Sequence, residues 1–196
     1  MRRLLEIGGL VAGVVLVGFG IAVIVLALDG RSTVRRELSQ QHITGTADMT
    51  PGAIRAEGAK AGLKPARVDY PSCSVAGRPV NDGSRARCFA QYMRIHALES
   101  SGGKVFSELP QYATADGQGT DDPAQALKKN GHPVSNPARD VWITETALST
   151  ALNTSYMAEQ LALFSLVVGV ALLLTGVGFV VVAASGALRR AAREGP

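Results

Sequence analysis

Residues 161–184, LALFSLVVGVALLLTGVGFVVVAA, form a run of 24 residues without a charged side chain, closed by Glu159 on one side and by Arg189 and Arg190 on the other. An uncharged run of this length is read as a membrane-spanning helix, because about 20 apolar residues at 1.5 Å each cross a hydrocarbon core of about 30 Å. The same pattern recurs near the other end. Residues 7–28, IGGLVAGVVLVGFGIAVIVLAL, are 22 residues free of charge, about 33 Å as a helix. Met1-Arg2-Arg3 resembles the basic start of a signal peptide. The apolar run, however, is longer than the usual h-region and no clear A-x-A site follows, so an uncleaved anchor is expected.

Working outward from the two runs, basic residues set the orientation. Arg189, Arg190 and Arg193 follow the second run, whereas residues 140–160 contain no Lys or Arg. The first run is ambiguous, since Arg2 and Arg3 are matched by Arg31, Arg35 and Arg36. The balance predicts both termini in the cytoplasm. The expected division is a cytoplasmic tail 1–6, transmembrane helix 7–28, extracytoplasmic domain 29–158, transmembrane helix 161–184 and cytoplasmic tail 185–196. The formal net charge is +4, but residues 29–158 hold 15 Lys and Arg against 13 Asp and Glu. That region therefore carries only +2, half of the net charge, and a nucleic-acid partner is not expected. The expected partners are the lipid bilayer and another membrane protein or a second copy of the chain.

The region between the runs carries helix-start signals. Thr50-Pro51, Asp122-Pro123 and Asn136-Pro137 each place a capping side chain before a proline suited to the first helical position. Gln125 completes a capping box at Asp122. Ser84 is the expected cap of a core helix through RARCFAQYMRIHALES, with Ala86, Phe89, Ala90, Met93 and Ala97 at helical spacing. No alternating run bounded by hairpin turns stands out, so little or no sheet is expected. From Pro137 the helical pattern continues to about Ala184, and STVRRELSQQH prolongs the first run. The predicted fold class is an all-α membrane protein, its two transmembrane helices extended as outward stalks with a small helical extracytoplasmic domain between them.

Small residues recur every seven positions in both runs: Gly13, Gly20 and Ala27 in the first, and Ala162, Gly169, Gly176 and Ala183 in the second. Such stripes let backbones approach closely where water supplies no driving force, and they are the expected contact between the two spans. Neither span holds a charge for an ion pathway or proton relay.

Chemistry-bearing residues are sparse. Cys73 and Cys88 flank SVAGRPVNDGSRAR, and His42, His96 and His132 are scattered, with no C-x-x-C or H-x-x-x-H spacing, so no structural metal site is expected. His96 lies eight residues after Cys88, about 12 Å along a helix and too far to activate a thiol. In an oxidising compartment the favoured reading of the pair is a disulfide closing a loop of about 15 residues, with two buried free thiols as the alternative. Arg78, Arg85 and Arg87, near a helix start, are a candidate anion site. Asp116, Asp121 and Asp122 lack the spacing of a calcium loop. TETALSTALNTSY, residues 144–156, holds six Ser and Thr with Asn153. Leu148, Leu152 and Tyr156 share one face there, which reads first as a packing face and second as a docking surface.

Three stretches, GRPVNDGSRARCFAQYMRIHALESSGGKVFSELPQY, ARDVWITETALSTALNTSYMAEQLALFSLVVGVALLLTGVGF and STVRRELSQQHITGTADMTP, resemble a family of uncharacterised bacterial, mainly actinobacterial, two-span membrane proteins. The resemblance covers nearly the whole chain and implies the topology but no activity. Such sequences sometimes carry an aromatic ring-opening dioxygenase label. Non-haem iron needs an identifiable His and carboxylate set, which these three histidines do not form by spacing. The expectation is a non-enzymatic envelope scaffold or partner-binding protein without cofactor, metal or catalytic residues. A lipid-headgroup or small-anion sensor acting through Arg78, Arg85 and Arg87 is the alternative.

Overall fold

A computed structural model of the chain describes residues 2–185. The tail carrying Arg189, Arg190 and Arg193 lies outside the described residues. The fold is mostly helical: α1 spans Arg2–Gln40, α2 Pro51–Lys60, α3 Gly83–Ser100 and α4 Pro137–Ala184. A two-stranded hairpin, β1 Lys128–Lys129 and β2 His132–Pro133, lies before α4. Two compact units form, one from residues 2–34 with 158–185 and one from Arg35–Met157.

In the first unit, α1 and α4 are both long and apolar enough to cross a membrane. They meet through their smallest residues. A Cβ placed on Gly13 would stand 2.8 Å from the Gly176 carbonyl oxygen, and one on Gly20 2.8 Å from that of Gly169. Gly13 opposite Gly176 and Gly20 opposite Gly169 sets an antiparallel register. Gly9 lies beside Ala183, whose methyl would be 3.7 Å from a Cβ there. Ala27 and Ala183 are buried, and Ala162 is half-buried. The large residues face the other way: Phe19, Leu26, Phe164 and Leu174 are each more than 60% exposed. In water such a surface would be a liability on this scale, and in hydrocarbon it costs nothing. Past the apolar runs, the Arg31 Nε–H donates to Glu159 Oε1 at 3.0 Å.

The second unit packs around α3. Tyr92 and Ile95 of α3, Ile54 of α2, and Pro71, Val75 and Val80 of the preceding loop are almost wholly removed from solvent. Trp142 at the start of α4 is buried, and its Nε1–H donates to the Lys104 carbonyl at 3.0 Å and to Ser101 Oγ at 3.2 Å. Arg139 donates to the Leu109 carbonyl at 2.8 Å and stacks 4.0 Å over Phe106. These contacts fasten α4 to the chain that leaves α3.

Two of the three cap-plus-proline starts open helices. Thr50 Oγ1 accepts from the Ala53 amide and Asn136 Oδ1 from the Ala138 amide. The third does not. Asp122 accepts from Ala124 N and Gln125 Nε2, but a single turn follows. The chain then enters the hairpin, whose turn is Asn130-Gly131, both at positive φ (53° and 81°). Asn-Gly is the dipeptide that adopts this conformation most readily, and it decides against helix there. The cap of α3 is Asp82 rather than Ser84. Asp82 Oδ1 accepts from the Arg85 amide at 2.8 Å, so the helix begins two residues earlier than expected.

Candidate functional site

The segment from Cys73 to Cys88 is closed by a disulfide between residues 15 apart in sequence, with Cα atoms 6.1 Å apart. Cys88 sits buried in the second turn of α3, and Cys73 is half-buried in the loop. One helical turn on from Cys88, the Tyr92 hydroxyl donates to the Cys73 carbonyl at 2.6 Å. Burial raises the Tyr92 pKa above its ordinary value, which keeps the phenol a donor. The loop is also tied to the chain before α2: Val75 N–H and Ser74 Oγ both donate to the Met49 carbonyl. Gly45 lies so close to the Val75 carbonyl that any side chain there would collide with it. Because Cys88 is bonded to Cys73, it presents no thiol to His96.

The three arginines of this segment are used differently. Arg85 is committed locally: its Nη1 donates to Asn81 Oδ1 at 2.6 Å and to the Pro79 carbonyl at 3.2 Å, and its Nε stands 3.4 Å from Asp82 Oδ2. The carboxylate of Asp82 already occupies the helix start, where an incoming anion would meet like charge. Arg78 is exposed, and its carbonyl accepts from the Gly45 amide. Arg87, two residues beyond Arg85 and therefore on another face of the helix, lies 4.8 Å over the Tyr156 ring of α4.

Arg87 opens a polar groove of about 330 Å³ between α3 and the first half of α4. From α3 it is lined by Arg87, Gln91 and Arg94, whose guanidinium also lies 5.5 Å over the Trp142 ring. From α4 come Thr146, Ser149, Thr150 and Asn153, all within the hydroxyl-rich stretch 144–156. Glu145 is buried at its edge, with Oε1 accepting from Ser149 Oγ at 2.7 Å. Leu152 is buried, while Leu148 and Tyr156 are half-buried. The stretch thus packs with one face and lines the groove with another. The groove offers two cations and a row of hydroxyls and amides around one buried carboxylate.

A separate cluster forms where the loop before α2, α2 itself and α3 meet. His96 Nε2 is 3.1 Å from Asp48 Oδ2, and His96 Nδ1 is 3.2 Å from Glu99 Oε2. Glu57 of α2 completes it: one donor atom each from Asp48, Glu57 and His96 lie within 4.8 Å of one another. The Asp48 carboxyl is held below the usual carboxylate range, chiefly by a hydrogen bond from the Thr46 side chain, with a smaller contribution from His96. The other Glu99 oxygen is buried without a partner. No spacing rule joins residues 48, 57 and 96, because the fold brings them together from three segments. His42 and His132 are exposed elsewhere. The loop acids serve their own turns: Asp121 accepts from Gln111 N, Asp122 from Ala124 N, and Asp116 from Thr114 and Gln118 N.

No family model, no curated protein and no solved structure matches the chain.

Proposed function

We propose that the chain is an integral membrane protein with both termini in the cytoplasm. In this reading its disulfide-bonded domain, residues 29–158, faces the extracytoplasmic side and binds a protein partner of the envelope without catalysing a reaction. The observation that carries the reading is the groove between α3 and α4. Its arginines, Arg87 and Arg94, are each spread over an aromatic ring, an arrangement that holds a guanidinium in place without neutralising it. Pre-positioned arginines beside hydroxyls and amides suit an acidic polar segment of a partner, since Arg pairs with carboxylates through two parallel hydrogen bonds. The Cys73–Cys88 bond supports the outward placement, because disulfides persist in oxidising compartments. The resemblance to two-span bacterial membrane proteins belongs to the same proposal.

The test has two parts. A membrane-impermeant thiol reagent on intact cells labels Cys73 and Cys88 after reduction and not before; labelling confined to lysed cells, without reductant, refutes the orientation. In mild detergent the wild-type chain co-purifies with a membrane protein that Arg87→Glu and Arg94→Glu release. A clean monomer with no such companion refutes partner binding. The alternative, anion sensing through Arg78, Arg85 and Arg87, has less support because Arg85 is already bonded to Asn81 and lies beside Asp82. Unchanged binding to anionic liposomes after charge reversal of all three arginines would sink it.

A further inference from the structure

The imidazole of His96 has a carboxylate oxygen against each nitrogen, Asp48 at Nε2 and Glu99 at Nδ1. A neutral imidazole has one N–H, so the two contacts are both satisfied either by an imidazolium or by a cation held at one nitrogen. A cation between Nε2 and Asp48 leaves the Nδ1–H to donate to Glu99. This is how metal-binding histidines are ordinarily oriented, with a carboxylate behind the ring fixing its tautomer and raising its basicity. Glu99 is suited to that part: it touches His96 through one oxygen, while the other is buried and unpartnered. Glu57 reaches the same point from α2 through an exposed side chain.

We propose that Asp48, Glu57 and His96 bind a divalent first-row transition-metal ion of the zinc or manganese class, with Glu99 as the positioning residue for the His96 ring. One imidazole nitrogen and two carboxylate oxygens suit these ions, whereas soft monovalent copper prefers sulfur ligands. Three protein donors leave at least one coordination position to water. The site shares no residue with the groove between α3 and α4, so it stands or falls apart from the partner-binding reading. Its structural effect follows from where the donors lie. Within α2 only Ile54 and Gly58 are buried, and an ion held from Asp48, Glu57 and His96 fastens this short helix and the loop before it to α3.

The experiment uses the untagged full-length chain in detergent micelles, stripped with a chelator and desalted. Zinc and manganese are titrated separately by calorimetry, with thermal unfolding and amide exchange followed on the same samples. One ion per chain is expected, with a rise in the unfolding midpoint and slower exchange across residues 51–60. Zinc should bind the more tightly of the two, as the general affinity order for nitrogen and oxygen sites requires. His96→Gln and Glu57→Gln should each weaken binding at least tenfold, and Glu99→Gln by about 10–100-fold, the usual effect of losing an outer partner. Glu99→Asp should restore part of that loss. Glu57 is exposed, so Glu57→Gln should fold, which keeps the test decisive if the His96 variant folds poorly. Failure of both ions to bind at one per chain overturns the proposal. So does binding that Glu57→Gln and Asp48→Asn leave at the wild-type level, since the ions would then be held elsewhere on the surface.

Discussion

The paired long helices and the α3-centred domain obey opposite packing rules within one chain. In the domain the largest side chains are inside: Tyr92, Ile54 and Ile95 are nearly inaccessible, with exposed arginines such as Arg87 and Arg94 outside. In the helix pair the smallest residues are inside, Gly13 and Gly20 against Gly176 and Gly169, while Phe19, Leu26, Phe164 and Leu174 point outward. Two different solvents would produce this difference, and both long helices are apolar enough to cross a membrane. Water drives apolar bulk inward because that removes hydrated surface. Hydrocarbon offers no such gain, so what remains is how closely two backbones can approach, and glycine allows the closest.

Substitutions that reverse these rules test the contrast. The largest effect is expected from Tyr92→Ala, a large-to-small change in the domain core that should cost about 3–5 kcal/mol. Trp142, the single tryptophan, is buried in the same unit and reports its unfolding by fluorescence. Next, Cys73→Ala with Cys88→Ala, or reduction of the wild type, should cost about 3 kcal/mol by freeing a loop of 15 residues. In the helix pair the sign of the volume rule inverts. Gly20→Leu should cost about 1–3 kcal/mol by forcing the backbones apart. On the same helix Gly18→Leu, with nothing within 4 Å of its Cβ position, should stay within about 0.5 kcal/mol. Melting followed by circular dichroism in micelles separates the two, and equal losses would break the comparison. Asp82→Ala should cost about 1 kcal/mol by uncapping α3.

The smallest predicted effect is a slope with pH. Burial raises the Tyr92 pKa above 10.0 in the fold, so the folded domain keeps a proton that the unfolded chain releases. That contribution is complete below the unfolded value and is lost as pH rises from there through the folded value. Tyr92→Phe should flatten the alkaline limb of a stability profile. An unchanged slope would mean that the phenol is not shielded.

Much of the helix pair is visible in the sequence, because a seven-residue recurrence of Gly and Ala is a local pattern and the contacts repeat with the same period. The starts of α2 and α4 are legible for a similar reason: Thr50-Pro51 and Asn136-Pro137 satisfy their own amides within a few residues. Where two local signals compete, the reading fails. Asp122-Pro123 promises a helix, but Asn130-Gly131 closes a hairpin soon after and leaves room for one turn. Ser84 is a good capping residue, yet Asp82, two residues earlier, takes the Arg85 amide and caps α3. Arg85 and Arg87 look like one basic patch until the helix turns them to different neighbours, Asn81 for the first and Tyr156 for the second. The cluster of Asp48, Glu57 and His96 is not legible at all, since its members are brought together by the packing of α2 on α3.

The antiparallel register of the glycine faces also bears on synthesis. Gly20 leaves the ribosome well before Gly169, separated from it by the whole domain. At about 5–20 residues per second, the first face waits on the order of ten seconds for the second. During that interval α1 has no mate. A face built from Gly13, Gly20 and Ala27 admits any helix with small residues at matching spacing as closely as it admits α4, so the delay leaves that face open to other partners until α4 is made.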